Sequence, residues 1–126
     1  MKIWAGAVVA VIVGFATQAS AQSGDPAKGQ RVFNQQCKAC HTVEKDGASP
    51  VGPNLHGLFG RKAGTGGGFQ SSEAMVKSGI VWDDKTLVEY LKNPKGRVPG
   101  TKMVYAGLKQ EAQQADMIAF LKKATQ

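Results

Sequence analysis

The sequence predicts one all-α domain in which about four short helices are joined by long loops. Apolar residues recur at i, i+3, i+4 and i+7 near the carboxyl end, and acidic N-cap residues precede two earlier helical stretches. Strand-like alternation is scarce, and no segment of the sequence repeats. Glycine makes up 16 of the 126 residues, nearly twice its usual share of about 7%, which favours a fold rich in loops.

The first 21 residues are predicted to be a secretory signal peptide rather than part of the fold. Lys2 supplies a positive charge, residues 3–16 are apolar or small, and Ala19-Ser20-Ala21 is a small-residue cleavage site. The apolar stretch is shorter than the roughly 20 residues that a membrane-spanning helix needs, although an uncleaved membrane anchor is the alternative. Cleavage after Ala21 would leave residues 22–126 as the mature domain, which we expect in the periplasm.

Caps and apolar spacing place the helices of the mature domain. Asp25 as N-cap and Pro26 at the first helical position begin the first helix, which continues over residues 28–36. The other predicted helices cover residues 71–77, residues 84–92 behind the N-cap Asp83, and residues 110–124. The third helix is expected to stop at Asn93-Pro94, and residues 42–70 and 95–108 are predicted as loops. Loops of this length in a small domain need a further group to order them.

The pentapeptide Cys37-Lys38-Ala39-Cys40-His41 is the attachment pattern of c-type haem. Each thiol can add to one vinyl group of the haem, and His41 can then bind the iron as its proximal ligand. A thioredoxin-like redox pair is one alternative, but it expects a strand before the motif, where this chain is predicted to be helical. A zinc site is another, but it needs four ligands, and the only further histidine is His56.

The second axial ligand of the iron is predicted to be Met103. It follows Pro99-Gly100 in a loop and can therefore reach across to the iron. Met75 and Met117 lie in predicted helices, where a lone methionine usually fills the core. His56 lies in a Gly/Pro-containing loop shortly after His41, and we expect it to make a hydrogen bond there.

These motifs occur in a chain that resembles the class I cytochromes c, of the mitochondrial and bacterial cytochrome c2 kind, over residues 24–124. Beside the haem motif, the matching stretches include Gly52-Pro53-Asn54-Leu55-His56-Gly57-Leu58-Phe59-Gly60-Arg61-Lys62, Asn93-Pro94-Lys95 and Pro99-Gly100-Thr101-Lys102-Met103. The resemblance implies that residues 22–126 form a cytochrome c domain. Its fold would have about four helices, with long loops wrapped round one covalent haem c.

The resemblance also implies which residues bind the haem: Cys37, Cys40, His41, Pro53, Arg61, Trp82, Tyr90 and Met103. The two cysteines would carry the thioether links, and His41 and Met103 would bind the iron. The carbonyl of Pro53 would accept a hydrogen bond from the His41 ring. The hydroxyl of Tyr90 would lie near the Met103 sulfur, and Trp82 and Arg61 near a haem propionate. The simpler alternative is that Trp82 and Tyr90 only fill the core.

Two further implications concern packing and departures from the family pattern. Gly29 and Phe33 would cross Phe120 and Met117 where the first and last helices meet. Three positions differ from many class I cytochromes c: Ser71 replaces a tyrosine that contacts a propionate, Met75 replaces an asparagine of a distal water network, and Tyr105 replaces a phenylalanine near the haem edge. The first two changes concern the hydrogen-bond network around the haem, not its ligation.

A closed His/Met-ligated haem predicts a soluble periplasmic carrier of single electrons, not an enzyme. By resemblance, its donor is a cytochrome bc complex and its acceptor a cytochrome c oxidase or a photosynthetic reaction centre. The alternative is a haem peroxidase or a ligand-binding haem protein with a labile distal ligand, since either needs an open position on the iron.

The charge of the chain predicts partners with acidic docking surfaces. The formal net charge is +7, and it is +6 without Lys2. The cations expected to form the docking rim are Arg31, Lys38, Lys95, Arg97, Lys102 and Lys109. No basic–aromatic motif indicates nucleic-acid binding, and we expect a monomer.

Overall fold

The computed structural model describes residues 23–49 and 51–126, together with residues 1, 6, 10, 11 and 14. The predicted signal peptide, including its cleavage site at Ala21, therefore lies almost entirely outside the described residues. Within them, the helices are α1 (Pro26–Gln36), α2 (Glu73–Lys77), α3 (Asp84–Lys92), α4 (Pro94–Arg97) and α5 (Glu111–Ala124). The described residues contain no strand, only an isolated antiparallel bridge between Lys62 and Val81, which confirms the all-α prediction.

Helix α1 begins where its sequence predicts, because Asp25 satisfies the first free amide groups of the helix. Its Oδ1 accepts a hydrogen bond of 2.9 Å from the backbone N–H of Ala27 and a longer one from that of Lys28. Pro26 occupies the first turn, where its missing N–H costs nothing. The helix ends at Gln36, directly before the first cysteine.

The first and last helices pack closely, and this crossing holds the two ends of the domain together. The rings of Phe33 and Phe120 lie 5.2 Å apart between centroids, as the sequence predicts. A Cβ atom on Gly29 would come within 2.0 Å of the Asp116 carbonyl oxygen, so only glycine allows this approach. Met117 is also in the core, with 2% of its surface exposed.

Helices α2 and α3 each begin at a side-chain N-cap. Helix α2 starts at Glu73, two residues later than predicted, because the hydroxyl of Ser72 accepts a hydrogen bond of 3.1 Å from the N–H of Met75 and acts as N-cap. Helix α3 has its predicted bounds, and Asp83 and Thr86 bond reciprocally in a capping box. Helix α5 starts at Glu111, one residue after the predicted start.

The prediction that residues 95–108 are all loop is wrong, because α4 occupies their first part. Pro94 does end α3, but it also starts a new helical turn, since its fixed φ suits the first helical position. The Oδ1 atom of Asn93 caps this turn by accepting a hydrogen bond of 3.1 Å from the N–H of Gly96. The loop that carries Met103 therefore starts only at Val98.

The buried core lies around the α1–α5 crossing and extends to α3 and to the long loop between α1 and α2. Leu58 and Ala63 of that loop are buried in the core. The core also contains Trp82 and, from α3, Leu87 and Tyr90. The two loops and α3 leave a cleft beside this core. No helix of the described residues is both long and apolar enough to cross a bilayer.

Candidate cofactor site

A cavity of about 480 Å³ opens between the long loop after α1, helix α3 and the loop before α5. Apart from Cys37, all the residues predicted to bind haem line it: Cys40, His41, Pro53, Arg61, Trp82, Tyr90 and Met103. Cys37 is half-buried and packs against the core. Segments far apart in the sequence thus meet at one cavity, and its size is that of a cofactor site.

The two cysteines follow the end of α1, and they are not joined in a disulfide. The backbone N–H groups of both Cys40 and His41 donate to the carbonyl of Cys37, so the motif forms a tight turn. Burial first, and then the neighbouring Cys40, raise the pKa of the Cys37 thiol to about 11, so it stays protonated at neutral pH. No group of three or more His, Cys, Asp or Glu side chains suited to a metal ion occurs in the described part of the chain.

The ring of His41 is held by the loop that follows it. Its Nδ1 atom lies 2.8 Å from the carbonyl oxygen of Pro53, which is the contact expected between these residues. Because a carbonyl only accepts hydrogen bonds, Nδ1 must carry the proton. The lone pair of the neutral ring is then on Nε2, and the ring can bind a metal ion through that atom.

Gly52 allows the loop to pass close to the same ring. A Cβ atom at this position would lie 2.5 Å from His41 Cε1 and 2.8 Å from His41 Nδ1. Real Cβ atoms do not approach other atoms so closely, so any larger residue would displace the ring. Glycine is therefore required here by close approach rather than by a special backbone angle.

Met103 lies in the loop before α5, which forms another wall of the cavity. Thr101, two residues earlier, links this loop to Tyr90 of α3. The Tyr90 hydroxyl shares a hydrogen bond of 2.6 Å with Thr101 Oγ1, which also accepts one of 3.3 Å from the Met103 N–H. Burial raises the pKa of Tyr90, so the phenol stays neutral. Tyr90 thus reaches the Met103 segment through Thr101, a residue to which the sequence analysis assigned no separate role.

Arg61 and Trp82 contribute polar groups to the lining of the cavity. The Nη1 atom of Arg61 donates to the carbonyl of Asn54 at 3.0 Å, and Nη2 donates to the carbonyl of His56. Burial lowers the pKa of Arg61, but a guanidinium remains charged in proteins. Trp82 is buried, and its ring lies 5.3 Å from that of Tyr90, so it both fills the core and lines the cavity.

His56 makes the hydrogen bonds expected in its loop through its backbone, not through Nδ1 of its ring. That atom is buried without a hydrogen-bond partner among the described residues. The backbone of His56 is bonded instead: its N–H donates to Asn54 Oδ1 at 2.8 Å, and its carbonyl accepts from Arg61. The loop therefore gains its order from the main chain of His56 rather than from the imidazole.

The apolar walls of the cavity were not singled out from the sequence. They include Leu55, Leu58, Leu87, Leu91 and Leu121. Leu87 and Leu91 lie one turn apart on α3, which indicates a buried helix face but not what that face contacts. Ser71 and Met75 also line the cavity, so two of the positions that depart from the family pattern lie at this site.

The cations predicted to form the docking rim are all exposed: Arg31, Lys38, Lys95, Arg97, Lys102 and Lys109. Lys102 lines the cavity, and its Nζ atom donates to the carbonyl of Gln70 at 2.8 Å. Lys95 borders a shallow hollow of about 250 Å³ that it shares with Val104 and Tyr105. Lys38 lies within the cysteine motif itself.

Besides Lys102, two of these cations already have intramolecular partners. Arg97 pairs with Glu89 at 3.3 Å, and Lys109 donates to the carbonyl of Lys92 at 2.5 Å. Within the described ranges, Arg31, Lys38 and Lys95 have neither an ion pair nor a side-chain hydrogen bond. Their charge is therefore the most available to a partner.

The cavity combines the features that a covalently attached haem requires. Its lining is mostly apolar, and the cysteine motif and a histidine with a free Nε2 lone pair lie on one segment. A thioether lies on a distant segment that lines the same cavity. An arginine and an indole can face the acidic groups of a bound cofactor. The residues present therefore fit the haem that the sequence predicts.

Comparisons with known proteins point to one family. Residues 26–125 match the family model described as Cytochrome c. The chain is 48% identical to a cytochrome c of Ginkgo biloba over 110 residues, which are 87% of this chain and 97% of the relative. It is 50% identical to a cytochrome c of Chlamydomonas reinhardtii over 109 residues, 86% and 97% of the two chains. A cytochrome c of Theileria annulata is 54% identical over 102 residues, 81% and 88% of the two chains.

Substitution Gly52→Ala is expected to disturb the His41 ring. The added methyl group would push the ring away from Pro53 and destabilise the protein by about 1–3 kcal/mol, the usual cost of overpacking. Nuclear magnetic resonance of the His41 Nδ1–H, combined with thermal unfolding, would measure both effects. Gly79→Ala is the matched control, since Gly79 has a φ of +69° but nothing within 4 Å of an added Cβ. If both variants leave the His41 resonance unchanged, the steric argument is wrong.

Proposed function

The chain belongs to the cytochrome c family, and is thus an electron carrier with one covalent haem c, and we propose that it serves as a periplasmic carrier of single electrons. We further propose that Cys37 and Cys40 form the thioether links and that His41 and Met103 are the axial ligands of the iron. One observation carries the ligand assignment: His41 and Met103 come from distant parts of the sequence and line the same mostly apolar cavity.

The protein's own residues set the properties of the site. When bound, haem c supplies an iron that takes up and releases one electron. His41 is oriented by the Pro53 carbonyl, so its Nε2 lone pair is presented in one direction. The leucine-lined walls exclude water, which disfavours the more positively charged oxidised state and raises the reduction potential. The soft thioether of Met103 would also favour the reduced iron and so raise the reduction potential.

Filling both axial positions supports electron transfer rather than catalysis. If His41 and Met103 both bound the iron, no position would remain on it for a substrate. Thr101 and Tyr90 brace the Met103 segment, so little needs to move when an electron arrives. Arg61 and Trp82 would face the propionates, where a cation and an indole N–H can keep a carboxylate ionised.

We assign the docking surface to the cations beside the cavity. Lys102 and the exposed Val104 line the cavity, Val104 and Lys95 line the neighbouring hollow, and Lys38 lies within the cysteine motif. Exposed cations beside an exposed apolar residue suit an acidic partner surface. We propose a cytochrome bc complex as the electron donor and a cytochrome c oxidase or a photosynthetic reaction centre as the acceptor.

The periplasmic location is supported by the amino-terminal sequence alone. The charge at Lys2, the apolar run and the Ala-Ser-Ala site have the order of a cleaved export signal.

Replacing Met103 by histidine should lower the reduction potential. Imidazole is a harder and stronger donor than a thioether, so it favours the oxidised iron. The decrease should be a sizeable part of the roughly 0.8 V over which axial ligands tune haem. A spectroelectrochemical titration measures it. Met75→Leu is the control, because Met75 also lines the cavity, and it should keep the Met–iron absorption band. Loss of that band in Met75→Leu, with an unchanged potential in Met103→His, would assign the ligand to Met75 instead.

Reversing the charge of Lys95 should slow association with an acidic partner. Lys95→Glu is expected to lower the association rate with detergent-solubilised cytochrome c oxidase by a few-fold at low salt, and the loss should fade as salt is added. Stopped-flow oxidation of the reduced protein measures this rate. Lys123→Glu changes the net charge equally, but Lys123 lines neither the cavity nor the hollow. Equal slowing by both variants would mean that net charge, not a docking surface, steers the encounter.

Export can be tested by mass. Protein expressed in a bacterium that matures c-type cytochromes should appear in the periplasmic extract, with the mass of residues 22–126 plus one haem. Ala21→Phe should block cleavage, because the site requires a small residue. Unprocessed wild-type protein in the membrane pellet would instead support the membrane-anchor alternative.

A further inference from the structure

The segment that carries Met103 is held by side chains rather than by its own backbone. Among the described residues, 104–107 take part in no backbone–backbone hydrogen bond. The next backbone anchor is the N–H of Leu108, which donates to the carbonyl of Leu91 at 2.7 Å. The position of Met103 therefore depends, beside its packing against the core, on the side-chain bonds that flank it, including that of Lys102 to the Gln70 carbonyl.

Two phenol hydrogen bonds flank Met103 symmetrically. Two residues before it, Thr101 is bonded to Tyr90 of α3 at 2.6 Å. Two residues after it, the hydroxyl of Tyr105 donates to Oε1 of Gln36 at 2.5 Å. The first bond connects the segment to α3, and the second connects it to α1.

The partner of Tyr105 occupies a particular position in the sequence. Gln36 is the last residue of α1 and directly precedes Cys37, the first cysteine of the haem motif. The Tyr105 ring itself is half-buried and packs against the core, so the hydroxyl is directed by a fixed ring. The bond therefore joins the segment of the distal ligand to the segment that carries the covalent link.

We propose that the Tyr105–Gln36 hydrogen bond is a latch that keeps Met103 on the haem iron. The inference rests on the proposed ligation of the iron by Met103. Tyr105 and Gln36 are positioning residues, since they act on the iron only through the Met103 segment. A phenylalanine at position 105 would keep the ring packing but could not donate this bond. The tyrosine that departs from the family pattern thus gains a specific role.

Displacement of Met103 by an external ligand is the direct test. In the oxidised holoprotein, imidazole can replace the thioether: the iron–sulfur bond breaks, an iron–nitrogen bond forms, and the iron keeps its oxidation state. The segment must move away for this exchange, and the latch must open with it. Loss of one net hydrogen bond should therefore raise the rate and the affinity of imidazole binding by about two- to ten-fold.

The experiment uses the full holoprotein and three variants at the latch. Tyr105→Phe and Gln36→Ala should each raise imidazole binding as above, and the double variant should show no further increase, because both changes remove the same bond. Gln36→Glu keeps an acceptor oxygen and should restore slow exchange. Gln35→Ala is the matched control, since Gln35 is exposed on the same turn and makes no recorded side-chain hydrogen bond in the described residues. The Met–iron absorption band follows the exchange, and thermal unfolding measures the accompanying change in global stability.

The outcomes separate the latch from the ligand assignment. Unchanged exchange in both single variants, or fully additive effects in the double variant, would overturn the latch while the Met103 ligation stands. Equal acceleration by Gln35→Ala would overturn it as well. If the wild-type protein lacks the Met–iron band, the ligation by Met103 fails, and the latch fails with it.

Discussion

The covalent attachment of the haem is the constraint on which the rest of this structure depends. The helices bury a modest core around the α1–α5 crossing, and the two long loops contribute few residues to it. Such loops lose conformational entropy on folding that their own contacts do not offset. A large apolar group fixed beside α1 gives both loops a surface to pack against, and the cavity between them has apolar walls suited to it.

From that attachment point, the chain orients one ligand almost entirely by local means. His41 is adjacent to Cys40, and the loop returns within about a dozen residues to place Gly52 and Pro53 against its ring. The glycine permits the close approach and the proline carbonyl fixes the proton on Nδ1. A short stretch of sequence therefore determines which nitrogen is left free to bind a metal ion.

The distal side is organised differently, because its contacts come from across the whole chain. Met103 lies between Thr101 and Tyr105, and these reach α3 and α1 respectively. Lys102, between them, crosses to the carbonyl of Gln70 and lies 5.7 Å from the centroid of the Phe69 ring. The same short segment thus contains Met103, Lys102 with its bond to Gln70, and the exposed Val104, of which 92% is accessible. On the proposed assignments, ligation and docking therefore depend on the same loop.

The sequence by itself determined the features that depend on neighbouring residues: the haem motif, the Asp25 and Asp83 caps, and the bounds of α3. It misjudged Pro94, which ends one helix and starts another, because the choice depends on whether Asn93 can cap the next turn. Only the tertiary structure decided the partners of Tyr90 and Tyr105 and the leucines that face the cavity. A cap acts over three residues and can be identified from spacing, whereas Tyr105 and Gln36 are 69 residues apart and meet only because the folded helices and the cleft bring them together.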